Sequence, residues 1–298
     1  MRGRWPAASC IYPFRIGDLP ACVVSDGPLA LPPPADVWKS VPESALHADL
    51  AAAFLPADRT EVEQNALLLE AAGQTLLFDA GLGDAHPYGP HSGRLVRSLA
   101  EAGIEPDAID AVILTHAHSD QCWGLTLADG TPRFPDARIY ISQIEFDFWA
   151  GEPAGERLAR SVAGFRRHVL PLRDRITFLR DGEEFLPGIT ALATPGHTPG
   201  HTSHRITSGD AALCLAADVV HHSLISFRHA AAAAIFDVDP AQAVRTRAAL
   251  LSRLADERTE MLGYHLAWPG LGHVQRDGTA FRFLPTPMRL VGADDIMR

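Results

Sequence analysis

The strongest constraint in this chain is a short apolar run, Ala111-Val112-Ile113-Leu114-Thr115, that leads directly into His116-Ala117-His118-Ser119-Asp120. The run reads as a buried strand. In extended chain alternate side chains point the same way, so His116 and His118 can address one point, and Asp120 is expected to continue that alternation. Two neutral nitrogens and one anionic oxygen at this spacing suit Zn²⁺, Fe²⁺ or Mn²⁺. Further ligands are expected at the ends of other strands.

Three later segments have that form. Residues 191–194 read as a strand followed by Pro195-Gly196-His197-Thr198-Pro199-Gly200-His201, a turn that presents His197. Pro199 and Gly200 exclude a helix there, so His197 and His201 are not an i, i+4 chelate. The apolar strand Leu213-Cys214-Leu215-Ala216-Ala217 ends at Asp218, and Gly263-Tyr264-His265 places His265 past another strand, with His273 nearby.

The remaining pattern is that of a layered α/β body. Strands are expected at residues 66–70, 75–79, 138–142, 176–179, 203–207, 260–264 and 281–284, and helices at 94–102, 143–149, 156–170 and 239–257. Asp239-Pro240 is an N-cap followed by proline at the first helical position. The Pro-rich residues 1–60 contain a strand at Ala21-Cys22-Val23-Val24 and a helix over 42–54 with Ser40 as a candidate N-cap. They read as an elaboration packed on the core of a single 1–298 domain.

Composition narrows the chemistry. The 298 residues carry 26 basic and 36 acidic side chains, a formal charge of −10, which argues against general nucleic-acid affinity. No apolar stretch approaches the ~18 residues of a membrane span. The N-terminus has no secretory pattern, so a cytoplasmic protein without membrane partners is expected. The four cysteines form no CxxC pair, and Lys39 is the only lysine, which excludes lysine-based phosphate or Schiff-base chemistry elsewhere. No Gly-x-Ser-x-Gly elbow is present.

The segments 115–124 and 194–201, the strand ending in Asp218 and the late His265 resemble the metallo-β-lactamase superfamily. Residues 77–83, Leu-Phe-Asp-Ala-Gly-Leu-Gly, look like its early strand-turn motif. The likeness runs over about residues 60–284. Residues 25–29, 218–221, 236–239 and 268–274 are similar to the branch containing methyl parathion hydrolase, related to the N-acyl homoserine lactonases.

That resemblance implies a four-layer αββα sandwich with a two-metal site at one edge of the sheets. It would place His116, His118 and His197 on a first metal, Asp120 and His265 on a second, and Asp218 between them. It selects His265 over His273. Where the family has a histidine after this Asp, the chain has Gln121. A neutral amide oxygen is a poorer ligand than imidazole for such a cation. The expectation is therefore one tightly bound Zn²⁺ and a weakened, exchangeable second site, reached by Gln121 through its carbonyl or a water. Mn, Fe or Co are alternatives to zinc.

The implied chemistry is hydrolysis of a small-molecule ester, lactone or phosphotriester. A bound cation lowers the pKa of its water toward ~7, and Asp120 would orient the resulting hydroxide and shuttle its proton. A true β-lactamase is disfavoured, because no lysine follows Asp218. The rival reading is a metal- or ligand-binding protein of the same fold, weak as a hydrolase because of Gln121. Trp123 and Phe227, which follow ligand-bearing segments, are candidate pocket residues. His201, His204, His221 and His222 are expected to be supporting or structural. His47, His86, His91, His168 and His229 read as surface or loop residues. The resemblance also suggests a homodimer, with the N-terminal arm as a candidate contact.

Overall fold

A computed structural model describes residues 10–84, 88–152 and 155–289. The chain opens with the antiparallel pair β1 (Ile11–Ile16) and β2 (Leu19–Ser25), makes a small two-stranded sheet from β3 (Leu29–Leu31) and β4 (Thr60–Val62), and returns as β5 (Asn65–Ala71) and β6 (Gln74–Phe78). Parallel strands β7 (Ala111–Ile113), β8 (Arg138–Ser142) and β9 (Ile176–Leu179) complete a seven-stranded sheet in the order β1-β2-β5-β6-β7-β8-β9. The second half builds another seven-stranded sheet, whose strands are adjacent in chain order: β10 (Glu184–Leu186), β11 (Ile189–Ala193), β12 (Thr202–Ser208), β13 (Ala211–Leu215), β14 (Glu260–Leu262), β15 (Leu271–Asp277) and β16 (Ala280–Pro285).

The apolar runs are divided between two cores by the period-2 geometry of a strand. In β5, β6 and β7 the residues Leu67, Leu69, Leu76, Phe78, Ala111 and Ile113 face the other sheet. Their alternates Ala66, Leu68, Leu77 and Val112 face outward. Such strands are buried on both faces, and continuous apolar runs are what this requires.

Helices cover the two outer faces. The described helices are α1 (Pro34–Val37), α2 (Glu43–Ala52), α3 (Leu95–Glu101), α4 (Ser119–Cys122), α5 (Gln143–Ala150), α6 (Glu156–His168), α7 (Ile225–Arg228) and α8 (Pro240–Glu257). Leu99, Phe146, Leu158, Val162 and Phe165 on α3, α5 and α6 join the outer core of the first sheet. Leu250, Leu251 and Leu254 on α8 and Phe227 on α7 cover the second. The result is the expected αββα arrangement. The segment before β5 packs Val37, Trp38, Leu46 and Leu50 against Ile225 and Ala232, and so braces the α7 region.

Caps follow local chemistry. Asp239 accepts from Gln242 N at 2.9 Å, with Pro240 opening the helix. Ser40 does not cap α2: that helix begins after Pro42, whose fixed φ already sets the entry, and Ser40 lies outside the first turn.

Candidate metal centre

Loops at the ends of four strands meet at one rim of the molecule. The segment after β7 supplies His116 and His118, that after β11 supplies His197, that after β13 supplies Asp218, and that after β14 supplies His265. Asp120 arrives differently from the expected alternation. The chain turns into the short helix α4 immediately after His118, and Asp120 sits in that turn.

Three imidazole nitrogens converge. His118 Nδ1 lies 3.0 Å from His116 Nε2 and 2.8 Å from His197 Nε2. Asp218 Oδ2 stands across from them, 3.3 Å from His197 Nε2 and 3.7 Å from His116 Nε2. The same oxygen is 3.0 Å from His265 Nε2, which is also 3.4 Å from Asp120 Oδ2. Gln121 turns its amide nitrogen toward the two carboxylates, at 3.5 Å from Asp120 and 3.4 Å from Asp218, and its buried Oε1 has no partner.

The outer hydrogen bonds fix which nitrogen of each ring faces inward. His197 Nδ1 donates to the Asp237 carboxylate at 3.0 Å, and His265 Nδ1 donates to the Glu63 carbonyl at 2.8 Å. Thr115 donates its hydroxyl to Asp79 and so accepts from His116 Nδ1 at 3.1 Å. The inward Nε2 atoms of His116 and His197 therefore face His118 Nδ1 and Asp218, and that of His265 faces Asp218 and Asp120. Lone pairs crowded this way repel unless a cation sits among them, and His116, His197 and His265 carry the outer partner that metal-bound histidines have. The donor set fits a metal on this evidence, and His116, His118 and His197 together offer ligand atoms within 4.8 Å of one another.

The electrostatics agree. Burial opposes charge on His197, yet its hydrogen bonds to Asp218 and Asp237 raise its pKa to about 10. His265 is likewise driven to about 9, against burial, by Asp218 and Asp120. Asp218 is held well below the usual carboxylate range despite burial, by His265, His116 and His197. Burial pushes Asp120 upward. The rim attracts positive charge strongly, whether as protons or as metal.

Glu145 on α5 binds the two main ligand loops together. Its buried carboxylate accepts from Ala117 N at 2.9 Å, Trp149 Nε1 at 2.6 Å, Thr198 Oγ1 at 2.7 Å and Gly200 N at 3.0 Å. Gly200 allows that approach, because a Cβ there would lie 2.1 Å from Glu145 N. Gly196, at φ +132°, similarly passes close to Ala243 on α8. Glu145 and Asp237 escape sequence reading. An acidic residue inside a helix or loop looks solvated, and only the crossing of distant segments buries it.

A cavity of about 230 Å³ opens onto the rim. His118, Asp120, His197, Asp218, His221 and His265 line its polar floor, and its walls combine apolar side chains such as Leu29, Leu31, Leu158, Ile235 and Phe236 with Arg157 and Arg160. Trp123 and Phe227 do not line it. Trp123 turns toward α6, where Gly164 leaves room: a Cβ there would meet the indole at 2.2 Å. Its ring stacks on His168 at 5.7 Å with Arg160 at 5.5 Å. Phe227 is buried against Phe283 at 5.3 Å, beneath the second sheet.

The other histidines separate. His201 accepts from Asp218 N at 3.2 Å and lies beneath the floor. His204 is enclosed between Phe78 and Phe185. His222 accepts from two backbone N–H groups and meets Trp38 edge-on. His229 pairs with Asp49. His273 is exposed on β15, and His86 lies outside the described residues. His221 alone among the expected supporting histidines reaches the cavity floor.

Residues 59–263 match the family model described as the metallo-beta-lactamase superfamily. An N-acyl homoserine lactonase of Bacillus sp is 26% identical over 175 residues, which cover 53% of this chain and 63% of that protein. An N-acyl homoserine lactonase of Bacillus thuringiensis is 25% identical over the same shares. The match thus spans less than two thirds of these relatives' length. Among solved structures, AidC, a dizinc quorum-quenching lactonase in complex with a product, superposes with a TM-score of 0.90 at 26% identity. It covers 95% of this chain and 100% of that one. The hydrolase AbOPH superposes at 0.87 with 25% identity, covering 95% of this chain and 100% of its own.

Proposed function

Because the chain belongs to the metallo-β-lactamase superfamily, we propose that it is a metal-dependent hydrolase of a small ester, lactone or phosphotriester, with lactones the leading class. The observation that carries this reading is the convergence of His116, His118 and His197, with Asp218 beside His116 and His197, at the floor of the cavity. The similarity to lactonases and to AbOPH supports the substrate classes.

In this reading His116, His118 and His197 would hold a first cation, Asp120 and His265 would hold a second, and Asp218 would serve both. Zinc is the first candidate, since three imidazoles and a carboxylate suit a borderline cation, with Mn, Fe or Co as alternatives. When bound, such cations polarise the scissile group and make hydroxide available near neutral pH. The chain's own residues do the rest. Asp120 Oδ2 takes the proton released at the floor of the cavity and returns it to the leaving group. The Tyr264 hydroxyl donates to the Asp120 carbonyl at 2.6 Å and holds that turn in place. Leu29, Leu31, Leu158, Ile235 and Phe236 exclude water and seat the apolar part of the substrate. Gln121 presents an amide N–H₂ to the carboxylates and so would not itself strengthen a second site.

The acidic charge and the small size of the cavity favour a small molecule over nucleic acid as substrate. Among the described residues no helix is long and apolar enough to cross a membrane. A cytoplasmic homodimer is part of the proposal; Phe54, 97% exposed after α2, is an apolar residue that a second copy would cover.

The test is a panel of N-acyl homoserine lactones, aryl esters and phosphotriesters assayed with metal-depleted protein and with added Zn²⁺, Mn²⁺ or Co²⁺. Metal-dependent turnover of at least one class is expected. No turnover with any metal, alongside retained ligand binding, would favour a non-hydrolytic binding protein.

A further inference from the structure

Gln121 leaves one coordination role unfilled, and a different histidine faces one of the carboxylates it touches, Asp218. His221 follows Asp218 by three residues, past the single helical turn Ala217–Val219. That turn folds the chain back so that His221 Nε2 lies 3.8 Å from Asp218 Oδ2. The ring lies 4.7 Å from that of His197 and nearly parallel to that of His265, at 5.8 Å. His197, Asp218 and His221 offer ligand atoms within 4.8 Å of one another. The ring is 2% exposed and lines the cavity, yet neither of its nitrogens has a hydrogen-bond partner. Its backbone is fixed, because His221 N and His222 N both donate to Ser226 Oγ, at 2.9 and 3.1 Å.

Buried polar groups are normally satisfied, and an orphaned one asks for a reason. His204 shows that the orphan nitrogens alone are not enough. It too has both ring nitrogens unpartnered, but aromatic rings enclose it. His221 instead faces a carboxylate at the open floor of a cavity. Gln121, by contrast, points donors at the carboxylates, which is the wrong polarity for a ligand.

We propose that His221 is a metal ligand of this centre, supplying with Asp218 the imidazole donor that Gln121 lacks. This rests on the metal-dependent reading above. The imidazole has moved from the segment after Asp120 to the segment after Asp218, while the carboxylate between the cations stays the same. Gln121 then orients Asp120 and Asp218 from behind.

The experiment uses the full chain, stripped with a chelator and titrated with Co²⁺ alone. The readouts are equivalents bound and the visible absorption of the cobalt. The wild type is expected to bind two equivalents. H221A should bind one of the two equivalents about tenfold or more weakly, keep the other, and change the visible band. H221D should recover part of that loss, and Q121A should still bind two equivalents. Two equivalents in H221A with wild-type affinities and an unchanged band would overturn the proposal. So would a wild type with one equivalent whose spectrum H221A leaves unaltered. If the wild type binds no Co²⁺, the metal reading itself fails as well. Should H221A not fold, a crystal structure of the cobalt-loaded wild type decides: His221 Nε2 within about 2.0–2.2 Å of an ion supports it, and a longer separation overturns it.

Discussion

The N–H of Ala117 donates to Glu145 Oε1 at 2.9 Å, so the residue between His116 and His118 is anchored to a carboxylate on α5. The other oxygen of that carboxylate receives Thr198 and Gly200, the residues just beyond His197. Two ligand loops, 79 residues apart in sequence at His118 and His197, thus share one buried anchor. Glu145→Gln keeps the shape but turns an amide N–H₂ toward N–H or O–H donors on one side. First-site metal affinity should fall by about 10–100-fold, as for other outer-shell changes. Isothermal titration with Zn²⁺ checks it; unchanged affinity would mean the loops hold their geometry without Glu145.

Asp237 fixes the tautomer of His197 and also accepts from Ala234 N at 2.9 Å. Asp237→Asn loses the anion and presents an amide to one of the two. Metal affinity should drop about tenfold or more. A smaller effect on melting temperature in chelator than in zinc would place the defect in the loaded centre, and equal losses would make Asp237 purely structural.

Asp120 is the proposed proton carrier. Asp120→Asn should lower kcat by about 10²–10⁴-fold on whichever substrate the panel identifies. Activity within a few-fold of wild type would assign the proton to another group.

His204 gives a prediction independent of metal. Burial drops its pKa to about 3, aided by the nearby His201. The unfolded chain takes up a proton near pH 6.5 that the folded chain refuses down to about 3. Stability from this group is therefore present above pH 6.5 and is lost as pH falls from there toward 3. His204→Leu removes both orphan nitrogens. It should stabilise the protein at pH 7 by about 1–3 kcal/mol, and by more at pH 4.5. Denaturant melts at the two pH values test this; equal shifts at both would show that His204 does not titrate as described.

Much of the fold was legible because its signals are local. The alternation in β5, β6 and β7 and the Asp239-Pro240 start of α8 need no distant partner to be read. The site was legible as far as residues at strand ends announce themselves. His116, His118, His197, Asp218 and His265 do so, and the structure brings them together with Asp120 and Gln121. What stayed hidden depends on the crossing of segments. Trp123 turns away because Gly164, on another helix, makes room for it. Asp120 sits in a helical turn, not an extended one, because the chain closes into α4 right after His118. His221 reads as a supporting or structural residue until the turn at 217–219 carries it back over Asp218.

His116, His118 and Asp120 descend from the first sheet, whereas His197, Asp218 and His265 descend from the second. A cation seated among them is a rivet through both halves of the molecule. The rest of the seam is joined by apolar packing and by hydrogen bonds that cross it, such as Thr202 N to the Thr115 carbonyl at 2.9 Å and Asn65 Nδ2 to the Gly263 carbonyl at 3.1 Å. A cation would add a direct tie at the rim. Loss of the ion should then loosen that rim first.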